Sequence, residues 1–70
     1  MIKFKEDDVG KGVSLELKTS DGRKEKIFGR VVAVKDKEIE VEVIPKPYTG
    51  DRPVKIFSYE DIKNYRLLPS

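Results

Sequence analysis

The sequence predicts an all-β domain: a small five- to six-stranded barrel with one short 3-10 or helical turn before the last strand. Apolar and polar residues alternate at 13–17, 39–43 and 54–56, which is typical of half-buried antiparallel strands. Turn-forming residues separate these segments at short intervals. Several short strands within 70 residues bury their apolar faces together most readily by closing into a barrel.

The predicted strands are separated by turns whose chemistry is recognisable. Asp21-Gly22 is a hairpin signal, because glycine accepts the positive φ of a tight turn. Gly29 divides a long segment whose apolar residues change face, which predicts a bulge or a sharp coil at that glycine. Ser58 is a candidate cap for a short turn within 59–64. The predicted strands are, in chain order, 2–5, 13–19, 24–34, 38–44, 54–57 and 66–68.

The composition limits the classes of protein to consider. Residues 1–70 make one domain, and the absence of Cys and His excludes disulfides and the usual zinc sites. The longest apolar run, 31–34, is too short to cross a bilayer. We therefore expect a soluble cytoplasmic protein with no cofactor and no membrane partner.

Charge is nearly balanced but unevenly placed. The chain has 15 Lys and Arg against 13 Asp and Glu, a net charge of +2, which is mild for a dedicated nucleic-acid binder. Residues 9–35 are mainly basic and residues 36–44 mainly acidic. We interpret these stretches as neighbouring strands whose charges pair across the sheet.

The skewed residue usage has two explanations. Lys, Glu, Val and Ile dominate, and Gln and Trp are absent. Thermostable proteins of hyperthermophiles show this bias, and so do computationally designed proteins. The irregular proline-bearing loop 45–53 favours the natural thermophile.

Two parts of the chain carry a resemblance to known small barrels. The tail 57–69, a helical turn followed by a closing strand, looks like the end of an SH3-like barrel. Segment 13–32, with its Asp-Gly turn and glycine-containing second strand, is similar to the first half of Sm-like proteins. The Sm-like RNA-site motifs are missing from the turn 35–38 and from strand 54–57, so the resemblance implies the fold without a uridine pocket.

Catalysis is not expected from these residues. The chain has no His, no Cys and no Gly-flanked nucleophilic Ser. Glu38, Glu40 and Glu42 alternate along one strand, and we interpret them as a solvated face rather than a cation site. We therefore expect a protein that is not an enzyme.

Nucleic-acid binding is the preferred functional prediction, because small barrels combine cationic contacts with aromatic stacking. Tyr48 is the aromatic predicted to be exposed, whereas Phe28 and Phe57 are assigned to the core and Tyr59 and Tyr65 to packing around the helical turn. The predicted contacts are Lys18, Arg23, Lys24, Lys26 and Arg30 around the first hairpin, and Lys46, Tyr48, Arg52 and Lys55 around the proline loop.

Other functional classes remain open at this point. The domain is also compatible with an accessory part of a ribonucleoprotein assembly, touching RNA and protein together. A protein-protein interaction barrel is the main alternative, because barrel edges pair with partner strands. A designed scaffold without an evolved function is a further alternative.

Overall fold

Five antiparallel strands form one sheet in the computed structural model, which describes residues 2–45, 47 and 49–68. The sheet order is β4-β3-β2-β1-β5, so β4 and β5 are the edges. The predicted all-β fold, with a 3-10 turn before the last strand, is confirmed. The elements are the 3-10 turn η1 Glu6–Asp8, strands β1 Gly12–Leu17, β2 Glu25–Val34, β3 Glu38–Ile44 and β4 Val54–Ser58, the 3-10 turn η2 Tyr59–Asp61, and strand β5 Ile62–Leu67.

The sheet is strongly curved but is not closed into a barrel over the described residues. Strand β4 pairs with β3 and β5 pairs with β1, and only η2 joins the two edges along the chain. A flat five-stranded sheet would separate its edges by about 19 Å, whereas the link from Ser58 to Ile62 spans at most about 14 Å. The sheet must therefore bend back toward itself, and the result is compatible with a small barrel-like fold.

The turn η2 fills the gap between the two edges. Tyr59 is buried there, its backbone N–H donates to Lys37 O at 3.0 Å, and its hydroxyl donates to Lys35 O at 2.6 Å. Burial raises the pKa of the Tyr59 phenol. Ser58 Oγ accepts from the Glu60 N–H at 3.4 Å, in agreement with its predicted capping role. These bonds tie the β4–β5 connection to the β2–β3 turn.

The core lies on the inner face of the sheet and follows the predicted alternation. Val13 and Leu15 of β1 and Ile39 and Val41 of β3 are completely buried. Phe57 is half-buried against the same cluster, as predicted. The buried apolar residues are Phe4, Val13, Leu15, Val31, Ile39, Val41, Val43, Tyr59 and Ile62.

The bulge in β2 lies three residues beyond the predicted one. The β2–β3 register shifts between Val31 and Ala33, so Val32 is the extra residue. This shift lets Val31 and Val34 both pack toward the core, while Val32 stays 42% exposed. Gly29 instead pairs regularly with Val13 and Val43. Its lack of a side chain allows β2 to approach the backbone of β3 at Glu42 closely.

The predicted first strand, 2–5, is wrong. These residues pair with no strand of the described chain, and Phe4 instead inserts into the core, with its ring centroid 4.5 Å from that of Tyr65. The reason is local: the Lys5 backbone N–H donates to Asp8 Oδ2 at 2.9 Å and begins η1. This bond lowers the pKa of Asp8 below its ordinary value of 3.8. The hydrogen bond and the positive charge of Lys11 lower it further, whereas burial acts in the opposite direction.

The first hairpin and the last strand have boundaries that differ from the predicted ones. The first hairpin has a seven-residue loop, 18–24, because β1 ends at Leu17 and β2 begins at Glu25. The positive φ of 78° at Gly22 agrees with the turn prediction. Strand β5 starts at Ile62 rather than at residue 66, because it pairs with β1 along the whole length from Leu17 to Val13.

Strand β4 presents its aliphatic residues outward, contrary to the prediction from alternation. Val54 pairs with Glu42 and Ile56 with Glu40, and the two aliphatic side chains are 52% and 60% exposed. Phe57, which pairs with the buried Ile39, is the residue that faces the core. The register with β3 decides this outcome, because directly paired residues share a face.

Within the described residues, no helix is long and apolar enough to span a membrane.

Candidate nucleic-acid interface

An aromatic residue and three cations share the outer face of the sheet. Lys26, Phe28 and Arg30 alternate with the inward-facing residues of β2. Phe28 pairs with Ser14 of β1, which in turn pairs with Arg66 of β5. We call this surface, made of Ser14, Lys26, Phe28, Arg30, Arg66 and Leu68, the Phe28 face.

Strand geometry sets the spacing within the Phe28 face. Lys26 and Arg30 lie two residues before and after Phe28, so each is about 7 Å from it along the strand. Arg66 lies two strands away, about 10 Å across the sheet. Phe28 is 37% exposed. The arrangement presents an aromatic ring with a positive charge on three sides.

The three cations of the Phe28 face are not ion-paired, whereas several other cations of the described chain are. Within the described part of the chain, no ion pair engages Lys26, Arg30 or Arg66. The charges of these three residues are therefore available to an anionic ligand. The cations that are held by carboxylates are Lys11 by Asp8, Arg23 by Asp21, Lys35 by Glu40, Arg52 by Glu42 and Lys63 by Glu16.

Two shallow grooves flank Phe28. Their volumes are about 330 and 310 Å³, at the low end of the range for small-ligand sites. Phe28 and Leu68 line both grooves. The polar residues differ: the first groove has Ser14, Glu16, Lys26, Asn64 and Arg66, and the second has Arg30, Glu42 and Arg52.

The structure divides the predicted hairpin group in two. Lys18, Arg23 and Lys24 line an open cleft of about 540 Å³ in the hairpin loop. In that loop Arg23 Nε is 3.1 Å from Asp21 Oδ2. Lys26 and Arg30 lie instead on the sheet. The five residues therefore do not make one surface.

The second predicted group is also separated. Arg52 lines the same groove as Arg30, although Glu42 Oε1 lies 3.7 Å from its Nη1. Lys55 pairs with Val41 and is exposed on the opposite side of β4 from the Phe28 face. The remaining two predicted residues, Lys46 and Tyr48, lie outside the described residues.

Sequence reasoning missed the aromatic at the centre of the site. Phe28 was assigned to the core, but its position between two outward cations places it on the outer face. The alternation Lys26-Phe28-Arg30 is a signal that could have found it, because residues i and i+2 of a strand share a face. Arg66 and Leu68 carried no such signal, since only the pairing of β5 with β1 brings them to this surface.

The predicted charge pairing across the sheet is present in part. Lys35 Nζ lies 3.1 Å from Glu40 Oε2, and this contact raises the pKa of Lys35. Glu42 is opposite Arg30 in register but is ion-paired with Arg52. Among the residues that the structure describes, no three carboxylates gather in a way that could hold a metal ion.

Comparisons with protein-family models, with curated proteins and with solved structures found no match for this chain.

Proposed function

We propose that this protein is a non-enzymatic module that binds nucleic acid through the Phe28 face. The observation that carries the proposal is the set of three cations, Lys26, Arg30 and Arg66, that share the outer face around Phe28 and are held by no carboxylate of the described chain. Aromatic stacking combined with cationic backbone contacts is the usual chemistry of sequence-tolerant nucleic-acid binding. The five-stranded antiparallel sheet is compatible with a small barrel-like fold, and small barrels bind nucleic acid on a strand face and adjoining loops.

The charge of the molecule sets the expected strength of binding. The net charge is only +2, and within the described residues five cations are already paired with carboxylates. Three available cations, Lys26, Arg30 and Arg66, would neutralise about three phosphates. We therefore expect modest affinity that depends strongly on salt.

The first test is fluorescence anisotropy of a labelled oligonucleotide titrated with the protein at two salt concentrations. With about three phosphates neutralised on a single strand, raising the salt from about 50 to about 200 mM should weaken binding roughly 20-fold. Saturable binding with this salt dependence supports the proposal. An unchanged anisotropy at the lower salt concentration, with the fold verified by circular dichroism, contradicts it.

Protein-protein interaction is a second candidate, and one observation favours it. Val54 and Ile56 are exposed side by side on β4, which is an edge strand with backbone groups open to a further strand. Exposed apolar edge strands are sites of strand addition. The occupant that we test is a second copy of this chain, paired through β4.

Under this second candidate, the double substitution Val54→Lys and Ile56→Lys should convert a dimer to a monomer. Lysines on an edge strand oppose pairing by charge repulsion. Sedimentation equilibrium over a range of protein concentrations measures the mass of both forms. A wild-type mass that stays monomeric at every concentration argues against self-pairing through β4.

A further inference from the structure

We infer that residues 2–9 form a strap that opens as a unit while the sheet stays folded, and that the Asp8 carboxylate holds this strap closed. The strap shares no residue with the Phe28 face, so the inference is independent of the proposed function. Its backbone bonding, its anchor in the core and its latch carry the inference in turn.

The strap has few backbone bonds to the sheet. Over the described residues, the backbone hydrogen bonds of η1 are local, such as the bond from the Val9 N–H to Glu6 O at 3.1 Å. Bonds to β2 begin just beyond the strap, where the Gly10 N–H donates to Val31 O at 2.8 Å. A segment with so few long-range bonds opens at a lower cost in free energy than the strands of the core.

Phe4 is the anchor of the strap. Its side chain is only 3% exposed, and its ring centroid lies 4.5 Å from that of Tyr65 on β5 and 5.8 Å from that of Tyr59 on η2. Burial raises the pKa of the Tyr59 phenol, and a hydrogen bond from the Phe4 backbone lowers it in part. Ile2 is half-buried against the same core. Opening of the strap therefore uncovers a slot between β5 and η2 that two tyrosine rings line and one phenylalanine ring fills.

Asp8 is the latch of the strap. It is buried, its Oδ2 accepts from the Lys5 N–H at 2.9 Å, and its Oδ1 lies 3.3 Å from Lys11 Nζ. Lys5 directly follows Phe4, and Lys11 directly precedes β1. One carboxylate thus connects the residue beside the anchor to the start of the sheet, and its loss weakens the hold on Phe4. Asp7, its neighbour in the same turn, is exposed.

Native-state hydrogen exchange at low urea concentrations tests the inference. In the wild-type protein, the Asp8 and Val9 amides should exchange faster than the amides of β2 and β3. Their exchange should also depend little on urea, because opening of the strap exposes little surface.

Two substitutions test the anchor and the latch, after correction for intrinsic exchange rates. Phe4→Leu removes the ring contacts with both tyrosines and should speed exchange of the Val9 amide about 5- to 150-fold. Asp8→Ala removes the hydrogen bonds of a charged group and should speed it about 10- to 150-fold. The matched control is Asp7→Ala, which removes the same charge from an exposed position and should change the rate less than about threefold.

The contrary results are distinct. If the strap amides share the rate and the urea dependence of the β2 and β3 amides, the strap opens only when the whole domain unfolds, and the inference is wrong. It is also wrong if Phe4→Leu leaves the exchange of Val9 unchanged, because η1 then frays without releasing Phe4. Urea denaturation shows whether each variant is folded, and the wild-type comparison decides the first point without any variant.

Discussion

Replacing Gly29 by alanine is expected to destabilise the domain by about 3 kcal/mol, at the upper end of the cost of overpacking a well-packed core. A Cβ at this position would collide with the backbone carbonyl oxygen of Glu42 and would lie 2.7 Å from Val41 Cγ1. Neither atom can move cheaply, because Glu42 is held in the β2–β3 ladder and Val41 is fully buried. Gly29 is therefore required by the close approach of β2 and β3.

The matched control for this prediction is Gly12→Ala on the neighbouring strand. There the new Cβ would meet the Leu68 side chain, with Cδ1 at 3.3 Å, and that side chain is exposed and can shift. Urea denaturation gives the free energy of unfolding of both variants. For a domain of this size, a loss of about 3 kcal/mol is a large part of a total stability of roughly 4–10 kcal/mol. Equal stability of the two variants would show that the β2–β3 contact relaxes around the new methyl group.

Charge reversal at Lys26 and Arg30 is expected to reduce nucleic-acid affinity at least about tenfold at low salt. The double variant Lys26→Glu, Arg30→Glu removes the two cations that flank Phe28 and adds two carboxylates beside Glu16 and Glu42. The slope of log affinity against log salt should fall by about 1.4, since two phosphate contacts are lost on a single strand. Anisotropy titrations at several salt concentrations measure both quantities.

The hairpin loop offers a control of equal charge. Lys18→Glu, Lys24→Glu changes the net charge by the same amount but acts in the loop cleft, which is lined by none of the residues of the Phe28 face. We expect the loop variant to lose much less affinity, through the general field of the protein alone. If the loop variant loses more affinity than the sheet variant, the binding surface is the hairpin, and the Phe28 face is the wrong site. Charge reversal at the exposed Lys3 and Lys5 is a further control, because both residues lie outside the two surfaces.

Two cations of the Phe28 face, Lys26 and Arg30, were recognisable in the sequence, but the division of the predicted cations into separate surfaces was not. Arg23, Lys24 and Lys26 are close in sequence, yet the seven-residue loop ends at Lys24 and β2 begins at Glu25, which leaves Lys26 on the sheet. Arg52 and Arg30 are distant in sequence, yet both line one groove. Residue type and spacing predict which side chains are cationic, whereas the register of paired strands decides which of them face the same way.

The sequence by itself determined the all-β class, strand β3 from Glu38 to Ile44 and the buried alternation of β1 and β3. These follow from local period-two patterning and turn chemistry, which act over a few residues. Tertiary structure alone decided the outward exposure of Phe28, Val54 and Ile56, the bulge at Val32, and the open sheet. The physical reason is that a strand with apolar residues on both faces has two possible orientations, and only pairing with its neighbours selects which face is buried.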